Sequence, residues 1–87
     1  MKVDKEKLRR YWIGKSPTVR KAVEEYLTSL QRLGEILYPQ KTIGEVAKAN
    51  GVSDLAMRKN INNLMRLGLI EEFSPSWVPK KREEART

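Results

Sequence analysis

Residues 42–70 read TIGEVAKANGVSDLAMRKNINNLMRLGLI, and this stretch decides the fold. Thr42-Ile43-Gly44-Glu45 has the form of a capping box, in which the Thr hydroxyl takes the third N–H and the Glu carboxylate reaches back to the Thr N–H. A short helix is expected over 43–50, with Ile43, Val46 and Ala47 inward. Gly51 stands where the chain must leave that helix in a left-handed conformation. Ser53 caps a second helix over 54–67, whose inward face is Met57, Ile61, Leu64 and Met65, spaced i, i+4, i+7, i+8. Gly68 ends it. Leu69 to Phe73 then reads as a short strand, Ser74-Pro75-Ser76 as a turn, and Trp77-Val78 as the strand that pairs back.

Upstream, Asp4 can cap a basic helix over 5–13, which Gly14 and Lys15 break. Ser16-Pro17 restarts the chain, Ser as cap and Pro at the first helical position, where its missing N–H costs nothing. Val19, Val23, Tyr26, Leu30, Leu33 and Leu37 step 4-3-4-3-4, and Ala22, Leu27 and Ile36 widen the stripe, so one helix is expected over 17–37, ended by Pro39. Such a wide stripe faces a core, and part of it could pair with a second copy in a homodimer. The expected organisation is a basic segment over 1–15, a domain over 16–79 and a charged, frayed tail over 80–87.

Eighteen Lys and Arg against eleven Asp and Glu leave the 87 residues at +7. A chain this short makes one small domain with a thin core and excludes a two-domain enzyme. With no Cys and no His, disulfides, the usual zinc sites and a catalytic imidazole are excluded. No apolar run approaches a membrane span, no apolar stretch near the N-terminus suggests a secretory signal, and a cytoplasmic setting is the expectation. No pair of residues suggests a nucleophile with its base, the five Gly are isolated, and neither an enzyme nor a cofactor is expected.

The positive excess favours a polyanion. It is uneven: residues 1–32 carry +5, residues 33–68 carry +2, and residues 69–87 are neutral. Tyr11 and Trp12 lie within the basic block, where rings could stack on bases. The alternative is that Leu8, Tyr11 and Trp12 form the apolar face of a helix docking on the core, and this is the expectation for the rings, while Arg9, Arg10 and Lys15 are candidate contacts to phosphate.

The run from Thr42 to Ile70, with small Ala47 at the helix crossing, Gly51 in the turn, Val52 plugging it, Ser53 capping, and Gly68-Leu69-Ile70 at the exit, resembles the winged helix-turn-helix of small transcription regulators such as the MarR-like and ArsR-like families. The resemblance covers about a third of the chain. It implies a mostly α fold with a small β-hairpin, here with an extra basic N-terminal helix, and a recognition helix over 54–67 lying in the major groove of double-stranded DNA. Opposite Ile61 on that helix fall Leu55, Ala56, Lys59, Asn62, Asn63 and Arg66, with Arg58 on the flank. Asn suits adenine, and Arg or Lys suits guanine. Ser53 at the helix start, with Lys41 and Lys48, could hold flanking phosphates.

The sequence departs from those regulators at Asp54, Leu55 and Ala56, where they usually offer Ser, Thr, Gln or Arg. It departs again at Asn60, where relatives carry an aliphatic residue, and at Glu71 and Glu72 in the expected wing. Two further classes therefore stand beside a DNA-binding regulator. One is an RNA-, ribosome- or replication-complex-associated module, since Arg58-Lys59 with Ile61, Leu64 and Gly68-Leu69-Ile70 is also similar to a winged helix of small ribosomal proteins. The other is a protein adaptor docking through Leu55, Ala56 and Trp77. For Trp77 the favoured alternative is that it covers the core.

Overall fold

A computed structural model describes residues 4–73. Its elements run α1 (Lys5–Tyr11), α2 (Pro17–Thr28), β1 (Gln31–Leu33), β2 (Ile36–Tyr38), α3 (Ile43–Asn50) and α4 (Asp54–Arg66). The described residues are mostly helical, with one two-stranded antiparallel hairpin among them. Among the described residues no helix is long and apolar enough to cross a membrane.

The local chemistry of 42–70 produces the expected pair of helices. The Glu45 N–H donates to Thr42 Oγ1 at 3.0 Å, and the Thr42 N–H donates to Glu45 Oε1 at 2.9 Å, closing the capping box. Gly51 takes a φ of 70°. There the Gly51 N–H reaches the Lys48 carbonyl at 3.3 Å and the Val52 N–H the Ala47 carbonyl at 3.0 Å, the paired bonds of a Schellman closure. Ser53 Oγ accepts from the Ala56 N–H at 3.0 Å and starts α4. The same closure ends α4 at Gly68, with Leu69 N–H on the Leu64 carbonyl at 2.9 Å.

α2 packs against both α3 and α4. Ala22, Val23 and Tyr26 from α2, Ile43, Val46 and Ala47 from α3, and Met57, Ile61 and Leu64 from α4 form the buried centre. Trp12, just after α1, is buried in the same core, and Leu8 and Tyr11 are half-buried against it. The rings of the basic block thus dock on the core. Glu25 links α2 to α3 by accepting from Asn50 Nδ2 at 3.2 Å.

Two expectations are corrected. The helix expected over 17–37 ends at Thr28. In its last turn Thr28 Oγ1 donates to the Glu24 carbonyl at 2.7 Å and Ser29 Oγ to the Tyr26 carbonyl at 2.6 Å, side-chain bonds that compete with helix continuation. Leu33 then pairs with Ile36 across Gly34-Glu35, and Gly34 supplies the positive φ, 67°, that a two-residue hairpin with Gly first requires. Leu37 points inward, while Leu33 and Ile36 stand exposed, so the 4-3-4 spacing past Tyr26 does not describe a helix face. Ala22, Val23 and Tyr26 of the stripe are buried in the core, with Val19 and Leu27 partly buried against it.

The second correction concerns residues 69–73, which form no strand. Among the described residues the hairpin lies before the helix pair. Glu71 is drawn instead into a two-oxygen ion pair with Arg32 of β1. Phe73 sends its N–H to the Met65 sulfur at 3.4 Å and lays its ring 6.2 Å from that of Tyr26. The turn at 74–76, Trp77-Val78 and the tail over 80–87 lie outside the described residues.

Candidate nucleic-acid interface

α4 presents a row of exposed side chains, Leu55, Lys59, Asn62 and Arg66, spaced 4-3-4 along the face opposite buried Met57, Ile61 and Leu64. Leu55 is 71% exposed, the most open large apolar side chain among the described residues. The row runs from the capped start of the helix to its last turn, so one surface carries an apolar contact, a cation, an amide and a guanidinium in sequence.

The other residues expected on this face sit differently. Asn63 is half-buried and accepts from Arg66 Nη2 at 2.7 Å, so it acts on the row by holding Arg66. Arg58 is half-buried on the opposite flank, close enough to Tyr26 for its charge to favour the phenolate. Ala56 is half-buried. Ser53 is exposed with its oxygen committed to the cap, and Asp54 follows in the first turn, where its charge suits the positive helix end.

Lys48 is exposed in the last turn of α3 and makes no ion pair among the described residues. Lys41 is drawn toward α2, its Nζ 3.5 Å from Glu25 Oε2. In α1, Glu6 Oε2 lies 2.7 Å from Arg9 Nη2 and 3.4 Å from Arg10 Nε. Lys15 donates to the Tyr11 carbonyl at 2.9 Å and stands over the Tyr11 ring, 4.2 Å from its centre. All these pairs are exposed, where an ion pair contributes only about 0–1 kcal/mol.

Sequence reasoning placed the row but missed how α1 reaches it. Tyr11 Oη donates to Asn60 Oδ1 at 2.7 Å, across 49 residues, while Asn60 Nδ2 donates to the Ala56 carbonyl at 2.8 Å. The signal was present: an amide on the edge of an apolar face needs a hydrogen-bond partner, and Tyr11 carries a hydroxyl on the apolar face of the basic helix. This contact ties the end of α1 to the Asn60 flank of α4 through side chains. Lys7, Arg10 and Tyr11 from α1 face Leu67 and Leu69 at the end of α4 across an open groove of about 400 Å³.

Local donors hold two carboxylates near the helix pair in their charged form. The Thr42 backbone N–H and hydroxyl hold the Glu45 carboxyl below the usual range, and Arg32 does the same for Glu71. The expected conflict between Glu71 and a phosphate is thereby reduced, since its charge is matched within the fold. No protein-family model, curated protein or solved structure matches the chain, so the site stands on its own geometry.

Proposed function

We propose that this protein is a double-stranded DNA-binding module of the winged helix-turn-helix kind, acting as a transcriptional regulator, with α4 in the major groove. The observation that carries the proposal is the exposed row Leu55, Lys59, Asn62 and Arg66 on the second helix of a tightly turned, doubly capped helix pair. A major groove about 12 Å wide admits one helix, and this row has the side chains that discriminate base edges there. Lys59 and Arg66 suit guanine, Asn62 suits adenine, and Leu55 suits a thymine methyl. Lys48 and the start of α4 at Ser53 serve the flanking phosphates. The hairpin that precedes α3 takes the place of a wing beside the chain leaving α4, to which Arg32 ties it through Glu71.

The test is a titration of labelled duplex at low and moderate salt, with a single-stranded RNA of equal length beside it. Duplex binding that weakens with salt and with Lys59→Ala, and exceeds binding to RNA, supports the proposal. Affinity that ignores salt contradicts it, because phosphate contacts release counterions. A second reading, a protein-docking surface, draws on the exposure of Leu55. Leu55→Ser separates the two, since as a methyl contact it relaxes preference at one base pair without removing duplex binding.

A further inference from the structure

The charge of α1 is divided between two edges. Lys7 and Arg10, three residues apart, share the edge that faces the end of α4 across the groove floored by Leu67 and Leu69. Arg9 and Lys5, both exposed, lie outside that lining, while Glu6 pairs with Arg9 and with Arg10 alike. The position of the first edge is fixed by contacts on either side: Tyr11 bonds Asn60 of α4, and Trp12 is buried in the core. Lys15 closes over the outer face of the Tyr11 ring.

α1 and α4 meet through the side-chain tips of Tyr11 and Asn60, with no closer approach of the two helix backbones. A groove that admits one helix cannot admit both. If α4 enters it, α1 is held just outside, above the strand that borders the groove on the Asn60 side. We infer that the Lys7–Arg10 edge grips the phosphate backbone of that strand, that Tyr11 positions it by holding α1 to Asn60, and that Lys5 and Arg9 take no part. The inference rests on the proposed placement of α4 in the groove. It makes the basic N-terminal segment and the helix pair one continuous surface. It also gives Leu67, 58% exposed at the groove floor, a place against the sugar edge of the same strand.

A competing role for Lys7 and Arg10 is internal: cations near the carbonyl end of α4 complement its negative pole. The experiment separates the two by measuring the slope of log affinity against log salt for one duplex. The full chain is compared with Lys7→Ala/Arg10→Ala, Lys5→Ala/Arg9→Ala and Tyr11→Phe, each with a thermal melt. The expected result is a slope reduced by about two for the Lys7/Arg10 pair, at about one per lost phosphate contact. Lys5/Arg9 should leave the slope unchanged, and Tyr11→Phe should shift it toward that of the Lys7/Arg10 pair. Equal losses from the two pairs, which a diffuse field would give, overturn the inference. So does a lower melting temperature with an unchanged slope, which the internal role would give. A Tyr11→Phe slope like that of the unaltered chain overturns the positioning role. Lys59→Ala and Arg66→Ala identify which claim has failed: if they weaken binding and Lys7/Arg10 does not, only this inference falls, and if neither does, the placement of α4 falls with it.

Discussion

Tyr26 is fully buried in the core, with Phe73 beside it and the charge of Arg58 within reach. Burial pushes its phenol up to about 12, against the partial opposing effect of Arg58. Below pH of about 10 folded and unfolded chains both keep the proton and the full stability is present. Between about 10 and 12 the unfolded chain loses it first, so stability falls as pH rises. Urea unfolding from pH 8 to 11 should show this fall in the unaltered chain and a shallower one in Tyr26→Phe; parallel curves would contradict the assignment. Asn60 illustrates the opposite case, a polar group made tolerable by a distant partner. Asn60→Ala should lower stability by about 1 kcal/mol, and Tyr11→Phe by a similar amount, since either breaks a half-buried hydrogen bond. By contrast Lys59→Ala, on the open row, should change stability by less than about 0.5 kcal/mol, so its effect on binding is read without correction for folding.

The helix pair was legible in the sequence because its instructions are local: Thr42 with Glu45, Gly51, Ser53 and Gly68 each act within a few residues. Gly51→Ala tests this. The position has open space but a φ of 70°, so the cost is purely conformational, about 1–2 kcal/mol, seen as a lower urea midpoint. Thr42→Ala should cost about 1 kcal/mol at neutral pH through the lost cap. The contribution of Glu45 to that cap is present above its ordinary carboxylate value and disappears as pH falls through its lowered one, so the difference between variant and parent should shrink in acid. The helix over 17–37 was misread because apolar spacing alone cannot separate a helix from a helix plus hairpin when Leu33 and Ile36 flank a two-residue turn. Gly34 was the local sign of that break. The strand expected at 69–73 failed for a different reason. The carboxylate of Glu71 and the ring of Phe73 take tertiary partners, Arg32 and Tyr26, that no local pattern names.

Across the whole molecule, Tyr11 ties basic α1 to Asn60 of α4, and Trp12 is buried in the core that the helix pair shares. The sequence located the charge near the N-terminus and the row on 54–67; it showed that Asn60 needs a partner, but not that the partner is Tyr11, 49 residues away. The proposed interface therefore has a division of labour, with α1 and Lys48 on phosphates and the open row of α4 on base edges. That division is tested most directly by selecting bound sequences from a random duplex pool with the unaltered chain and with Asn62→Ala in parallel. The expected result is a discrete enriched motif for the unaltered chain and, for Asn62→Ala, relaxed preference at one A·T position with the rest retained. No enriched motif from the duplex pool, or the same motif from both proteins, would contradict it.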